Sequence, residues 1–144
     1  MKVTTEVSAG GVVYKKTPEG VLWLVTQNSA HKGWSFPKGR IGDKVRDELP
    51  EVAALREVEE EGGIKAKIIL EKPFETHYTY RFRNYLIKKT VYFFLMEYVS
   101  GDIQDHDYEV SGIRFAPAAE VMQTLSYKDD KKIFSRVIKS FPHI

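Results

Sequence analysis

The chain has no cysteine among its 144 residues. Disulfide staples and thiolate-ligated metals are therefore excluded, and a reducing cytoplasm is the expected location. An excess of one charge is also missing: 22 Lys and Arg stand against 20 Asp and Glu, a net of +2. That is too little for an extended nucleic-acid footprint, yet no obstacle to a small phosphorylated ligand. Long apolar runs are absent as well. The longest, around VYFFLM, is far too short to span a bilayer, and MKVTTEVSAG lacks the apolar stretch of a signal peptide. No membrane partner is expected. There is no internal repeat, low-complexity tract or long linker. What is present is ordinary globular composition, 42% hydrophobic and 29% charged, at a length suited to one compact domain over residues 1–144.

The pattern along the chain is mixed. TTEVSAGGVVYKK and VLWLVTQ read as strands divided by the turn TPEG, with Gly10 and Gly11 marking a bulge or a close backbone approach. Pro50 to Glu61 reads as a helix: Pro50 suits its first turn, Ala53, Ala54, Leu55 and Val58 supply apolar contacts, and Gly62 and Gly63 stop it. KAKIIL, THYTYRF, TVYFFLMEYV and IRFAP read as further strands, the third apolar enough to be covered on both faces. Short helices are expected over Ala118 to Leu125 and Asp129 to Phe141. Interleaved in this way, the elements predict an α+β fold with a mixed sheet between helices.

The chemistry concentrates in GDKVRDELPEVAALREVEEEGGI. Glu57, Glu60 and Glu61 stand at i, i+3 and i+4, so a helix places their carboxylates on one face. Like charges at that spacing repel, and acids near a helix C-terminus oppose its dipole. A bound divalent cation relieves both. An oxygen-only donor set suits hard magnesium, or manganese. Taken alone, the triplet reads more readily as a solvated acidic helix end.

Spacing reverses that reading. Gly42, five residues, Glu48, seven residues, then Arg56, Glu57, Val58, Glu60, Glu61, Gly63 and Ile64 reproduce every defined position of the Nudix box. SAGGVVY and WSFPKG precede it as they do in MutT-like Nudix hydrolases, so the chain resembles that family from about Ser8 to its final helices. The loop departs from the common arrangement. In many relatives the Gly of PKG is the first Gly of the box, whereas here Gly39 is separated from Glu48 by eight residues. The family's backbone-carbonyl metal ligand therefore falls to Gly39 or to Gly42, with Gly39 favoured because it follows Phe36-Pro37.

The resemblance implies a Nudix fold, a divalent metal and attack on a phosphoanhydride. It makes Glu57, Glu60 and Glu61 metal ligands, one of which, or a loop carboxylate, directs the water. It gives Arg56 and Glu48 the task of holding helix and loop together. Glu109 is the leading candidate for the additional carboxylate, ahead of Glu97 and Asp107, while Asp102 and Asp105 fit a turn. Lys38 is a candidate phosphate contact, and His31 and Lys32 are candidates to extend that basic rim.

For the organic half of the substrate, strand alternation puts Tyr78, Tyr80 and Phe82 on one face of HYTYRFRNY, with core packing expected for at least two of them and Tyr78 a candidate to stack on a base. SAGGVVY, GWSFPKG, KKTVYFFL and YKDDKKIF most resemble the bis(5'-nucleosyl)-tetraphosphatase branch, which splits diadenosine tetraphosphate into ATP and AMP. That likeness implies a phosphate contact at Lys89 and a base-stacking tyrosine at Tyr85 or Tyr92. The alternatives are a nucleotide-pool sanitiser acting on oxidised nucleoside triphosphates, an RNA 5'-pyrophosphohydrolase, and a nucleotide-binding module without catalysis. The last fits least, since no box carboxylate is lost.

Overall fold

The computed structural model describes residues 1–42 and 46–141. A long first strand, β1 (Lys2–Thr17), organises the sheet together with β7 (Tyr85–Gly101), running parallel to it from Lys2 opposite Tyr85 to Tyr14 opposite Glu97. The outer edge of β7 pairs first with β6 (Phe74–Phe82) and then with β5 (Ile64–Ile68). On the other side, β1 divides its partners. Ser8 to Gly10 pair with β4 (Lys38–Arg40), and Tyr14 to Thr17 pair with β2 (Gly20–Asn28). β2 also carries β3 (Trp34–Ser35) and β8 (Val110–Ala116). The stretch from Trp34 to Arg40 thus begins on β2 and ends on β1, wedging the two strands apart. That divergence makes the cleft described below.

Each face of the sheet has its own core, because successive residues of a strand point to opposite sides. On one face Val12, Tyr14, Val91, Phe93 and Leu95 pack beneath α2 (Ala118–Thr124) and α3 (Lys128–Ser140). On the other, Ala9, Val13, Phe94 and Met96 pack beneath α1 (Pro50–Gly62) through Ala53, Ala54 and Val58. A mixed sheet between helices is therefore observed, and the apolar run of β7 is covered on both sides. Among the described residues no helix is long and apolar enough to cross a membrane.

Three local expectations change. Leu55 does not join the core: it lies on the outer side of α1 and is exposed, because the buried stripe runs Ala53, Ala54, Glu57, Val58, Gly62. Gly10 and Gly11 mark close approach rather than a bulge. A Cβ on Gly10 would overlap the Pro37 carbonyl, and one on Gly11 would press on Val58 and Met96. Of Tyr78, Tyr80 and Phe82, only Tyr78 packs against the core; Tyr80 and Phe82 are exposed. Trp34–Ser35, Lys38–Arg40 and the 3-10 turn Ile103–Asp105 are too short for periodicity to reveal.

Candidate active site

The end of α1 presents the box carboxylates. Pro50 takes the first turn, and Gly63 closes the helix in the left-handed conformation (φ 71°) with its N–H donating to the Glu59 carbonyl at 3.0 Å. Glu57 follows Ala53 and Ala54 on the inward stripe, so helical spacing buries its carboxylate. No basic residue occupies the last turn. The acids are compensated from within the helix by Arg56.

Arg56 is the hub. Its Nε and Nη2 donate to the two oxygens of Glu48 at 2.7 and 2.9 Å, a bidentate pair. Its Nη1 donates to Glu57 at 2.6 Å and to Glu60 at 3.0 Å. Hydrogen bonding to Arg56 holds the buried Glu48 carboxyl below the usual carboxylate range, against the opposing effect of burial, and Glu48 in turn raises the guanidinium pKa. Glu48 and Arg56 therefore tie the residues before α1 to the carboxylate face.

Gly39 and Gly42 are required for different reasons. A Cβ on Gly39 would overlap the Glu57 carboxyl group, so only glycine lets β4 lie against it. Gly42 has φ 77°, the left-handed region, and its N–H points to Glu48 at 3.5 Å. The first is beside the acidic face and the second beside its support. The segment 43–45 of the box loop lies outside the described residues.

Glu61 points from α1 into the wedge between β1 and β2, where the Lys38 N–H donates to it at 3.2 Å. Burial, with Glu57 and Asp107 nearby, pushes its pKa up to about 8, against the stabilising contacts of Lys38. It forms part of a cleft of about 510 Å³ whose lining includes His31, Lys38, Tyr78, Tyr80, Glu109 and Tyr127. His31 accepts the Gly33 N–H at Nδ1 (3.1 Å), with the Tyr127 hydroxyl 3.0 Å from the same atom. Its Nε2–H is thereby left as the donor. Gly33 has no room for a side chain beneath Tyr127.

The structure thus brings Glu61, Glu109, Lys38, His31 and Tyr78 to one cleft. Glu60 instead faces a shallower pocket with Arg56, Asp105 and Asp107, and the Asp107 N–H donates to the Glu60 carbonyl at 2.9 Å. Two candidates fall elsewhere. Tyr92 packs on the α1 side of the sheet, one residue out of phase with the cleft-lining Val91. Tyr85 keeps the phase but starts β7, paired with Lys2 and Phe82, four residues from Lys89 and roughly 13 Å along a strand. Lys89 lies opposite Tyr78 and is paired with Glu6.

Tyr127 and Asp130 line the cleft and were not reached by sequence reasoning. Asp130 is buried and accepts the Ser35 hydroxyl at 2.6 Å; burial raises its pKa. A signal existed, since Asp130, Ile133, Phe134 and Val137 share the buried stripe of α3. A carboxylate in phase with an apolar stripe is a candidate for a buried role.

As the side chains stand, among the described residues no three acidic or imidazole groups converge on one point, because Arg56 holds Glu57 and Glu60. The donor set still fits a hard divalent cation: Glu57, Glu60 and Glu61 supply oxygens only, and the missing Cβ of Gly39 keeps a backbone within reach of Glu57.

The raised pKa of Glu61 sets a pH test. Folded protein holds this proton more tightly than unfolded chain, so the group's contribution to stability is complete below pH 4.5 and disappears as pH rises through about 8. Thermal melting in chelator should accordingly show stability falling across that window. Magnesium should restore it, with proton release on binding below about pH 8. Magnesium binding without proton uptake or release at pH 6 to 7 would place the cation away from Glu61.

The site is thus an α+β sandwich in which a glutamate-bearing helix end stands beside a tyrosine-walled cleft. Residues 4–137 match the NUDIX domain, and the chain belongs to that family. It is 29% identical over 139 residues to a Mycobacterium tuberculosis (strain CDC 1551 / Oshkosh) protein bearing the name MutT4, an alignment of 92% of this chain and 54% of that protein. It is 30% identical over 129 residues to the 8-oxo-(d)GTP phosphatase of Mycolicibacterium smegmatis (strain ATCC 700084 / mc(2)155), covering 85% of this chain and 35% of that one. The chain thus spans about half or less of the length of these curated relatives. Among solved structures, a C. elegans Ap4A hydrolase in binary complex superposes with a TM-score of 0.83 at 20% identity, over 96% of this chain and 99% of that one. The NUDIX domain of Shewanella oneidensis NrtR, complexed with ADP ribose, gives 0.70 at 21% identity over 96% and 89%. At these identities the structures attest the fold.

Proposed function

We propose that this chain is a divalent-metal-dependent pyrophosphohydrolase of nucleoside diphosphate derivatives, and that its substrate is diadenosine tetraphosphate, cleaved asymmetrically to ATP and AMP. One observation carries the reading: a single cleft joins the box carboxylate Glu61 and the cation Lys38 to the rings of Tyr78, Tyr80 and Tyr127. Phosphoanhydride chemistry needs the first pair. A flat nucleobase needs the second set, since aromatic stacking tolerates any base and gains about 1–3 kcal/mol per base.

Magnesium or manganese held by Glu57, Glu60, Glu61 and the Gly39 carbonyl would neutralise charge on the phosphate oxygens and lower the pKa of the attacking water. The chain supplies the rest. Arg56 and Glu48 fix the carboxylate face by their paired hydrogen bonds. Glu109, exposed on the loop before β8 and lining the cleft with Glu61, would orient a water or take its proton. Lys38 and His31 line the same cleft and would bind phosphate oxygens. Two structural neighbours support the reading: one is an Ap4A hydrolase, and another is complexed with ADP ribose.

The second reading, hydrolysis of an oxidised nucleoside triphosphate, has support from the name of the M. smegmatis relative and from the buried Asp130 carboxyl in the cleft, a group able to hydrogen-bond a base edge. A panel of diadenosine tetraphosphate, 8-oxo-dGTP, ADP-ribose and a 5'-triphosphorylated RNA, assayed with magnesium and read by product identification, separates the two. The expected outcome is highest kcat/KM on diadenosine tetraphosphate with ATP and AMP as products. Efficient turnover of 8-oxo-dGTP with little of the dinucleotide would install the second reading instead.

A further inference from the structure

The loop that carries Glu109 has little packing of its own. Tyr108 is 87% exposed and Glu109 is exposed beside it, while burial begins only at Val110. A loop without buried apolar contacts keeps its shape through hydrogen bonds.

Two sets of bonds hold this one. The Asp107 N–H donates to the Glu60 carbonyl at 2.9 Å, and Asp107 Oδ1 accepts the Glu109 N–H at 3.1 Å. These tie the start of the loop to α1. From the other side comes Ser29, which directly follows β2. Its hydroxyl donates to the Tyr108 carbonyl at 2.7 Å, and its N–H donates to the Glu109 carbonyl at 2.9 Å. Those carbonyls belong to the two peptide planes that flank the Glu109 Cα. One residue therefore fixes both backbone rotations that aim the Glu109 side chain.

The local sequence prepares this contact from both strands. Asn28 Oδ1 accepts the N–H groups of Ala30 and His31 at 2.8 and 3.2 Å, a turn that leaves the Ser29 N–H to Glu109. On β8, Gly112 pairs with Gln27 but Val110 pairs with Asn28, so Ser111 is the extra residue of a bulge. The extra residue brings Glu109, in place of Val110, opposite Ser29.

We propose that Ser29 is a positioning residue for the reaction, holding Glu109 on the cleft it shares with Glu61. Ser29 is not among the residues that line that cleft; it acts through the loop. This role rests on the reading of Glu109 as the group that directs the water.

The test is steady-state kinetics with magnesium on the best substrate of the panel, for the parent, Ser29→Ala, Ser29→Thr, Glu109→Gln and the double variant of Ser29→Ala with Glu109→Gln. Loss of the hydroxyl should lower kcat at least about tenfold, toward the roughly hundredfold cost of a 1 Å misplacement, and leave KM nearly unchanged. Ser29→Thr keeps the hydroxyl and should keep the parent's kcat. Once Glu109 is replaced, Ser29→Ala should cost nothing further, because the group it aims is gone. An equal loss in both backgrounds would mean general damage and overturn the proposal, as would full activity of Ser29→Ala. Hydrogen exchange at the Glu109 and Val110 amides needs no turnover: Ser29→Ala should speed it, and unchanged exchange would also overturn the proposal. If the parent released no product from any phosphoanhydride while exchange quickened in Ser29→Ala, the hydrolase reading would fall and the loop anchor would stand.

Discussion

Replacing Glu61 by glutamine should lower kcat by roughly 10²–10⁴-fold, the range expected when a group that directs proton transfer or holds a catalytic cation is lost, while the fold persists. The geometry separates the two effects. The Lys38 N–H donates to one oxygen of Glu61, and a glutamine carbonyl accepts the same bond, so β4 stays docked against α1. The negative charge alone disappears, from a site where burial and neighbouring acids already push the carboxyl pKa up to about 8. Removing a charge from such surroundings relieves repulsion, so metal-free Glu61→Gln should melt at or above the parent's temperature at pH 8. It should also lose the magnesium-dependent stabilisation. Steady-state kinetics with melting curves in chelator and in magnesium check both points. Activity within a few-fold of the parent would remove Glu61 from the chemistry.

Arg56→Met should do the reverse, costing stability first and activity as a consequence. Arg56 is the shared partner of Glu48, Glu57 and Glu60, and the first two are buried. Taking away one member of a buried charge network strands the others at a cost of about 3–5 kcal/mol. For a chain of this size that lowers Tm by roughly 10 °C. Glu48 gives the effect a pH signature. Its folded pKa is depressed by Arg56, so its stabilisation is present above the unfolded value of 4.5 and is lost as pH falls through the folded one. The gap between parent and Arg56→Met should therefore narrow in acid. Magnesium should recover part of the lost Tm, because a cation replaces the guanidinium between Glu57 and Glu60. A variant as stable as the parent at pH 7 would show that the network contributes little.

The two expectations differ because the sequence places the residues one helical turn apart in role. Glu61 follows the spacing into the cleft, whereas Arg56 stays behind the carboxylates and braces them. Periodicity made that partition legible. So were the main strands, the three helices to within a residue or so at each end, and the two glycines that close α1, since each depends on local alternation, spacing or backbone freedom. The box itself was legible because its defined positions follow one another at fixed spacing, most of the acidic ones within α1 and Gly63 closing it.

The residues that complete the cleft had no such spacing. Tyr127 and Asp130 reach His31 and Ser35 from the far end of the chain, and Glu6 meets Lys89 only because β1 runs parallel to β7 in one particular register. Tyr92 failed as a stacking candidate for the same reason, since a shift of one position sends a side chain through to the opposite face. Sequence by itself determined the family, the acidic helix and the class of reaction it supports, because those follow from contacts a few residues apart. Only the tertiary structure decided which tyrosines wall the cleft, that Gly39 rather than Gly42 lies against Glu57, and that Glu6 pairs with Lys89. Those facts depend on the pairing of distant strands, which local pattern does not encode.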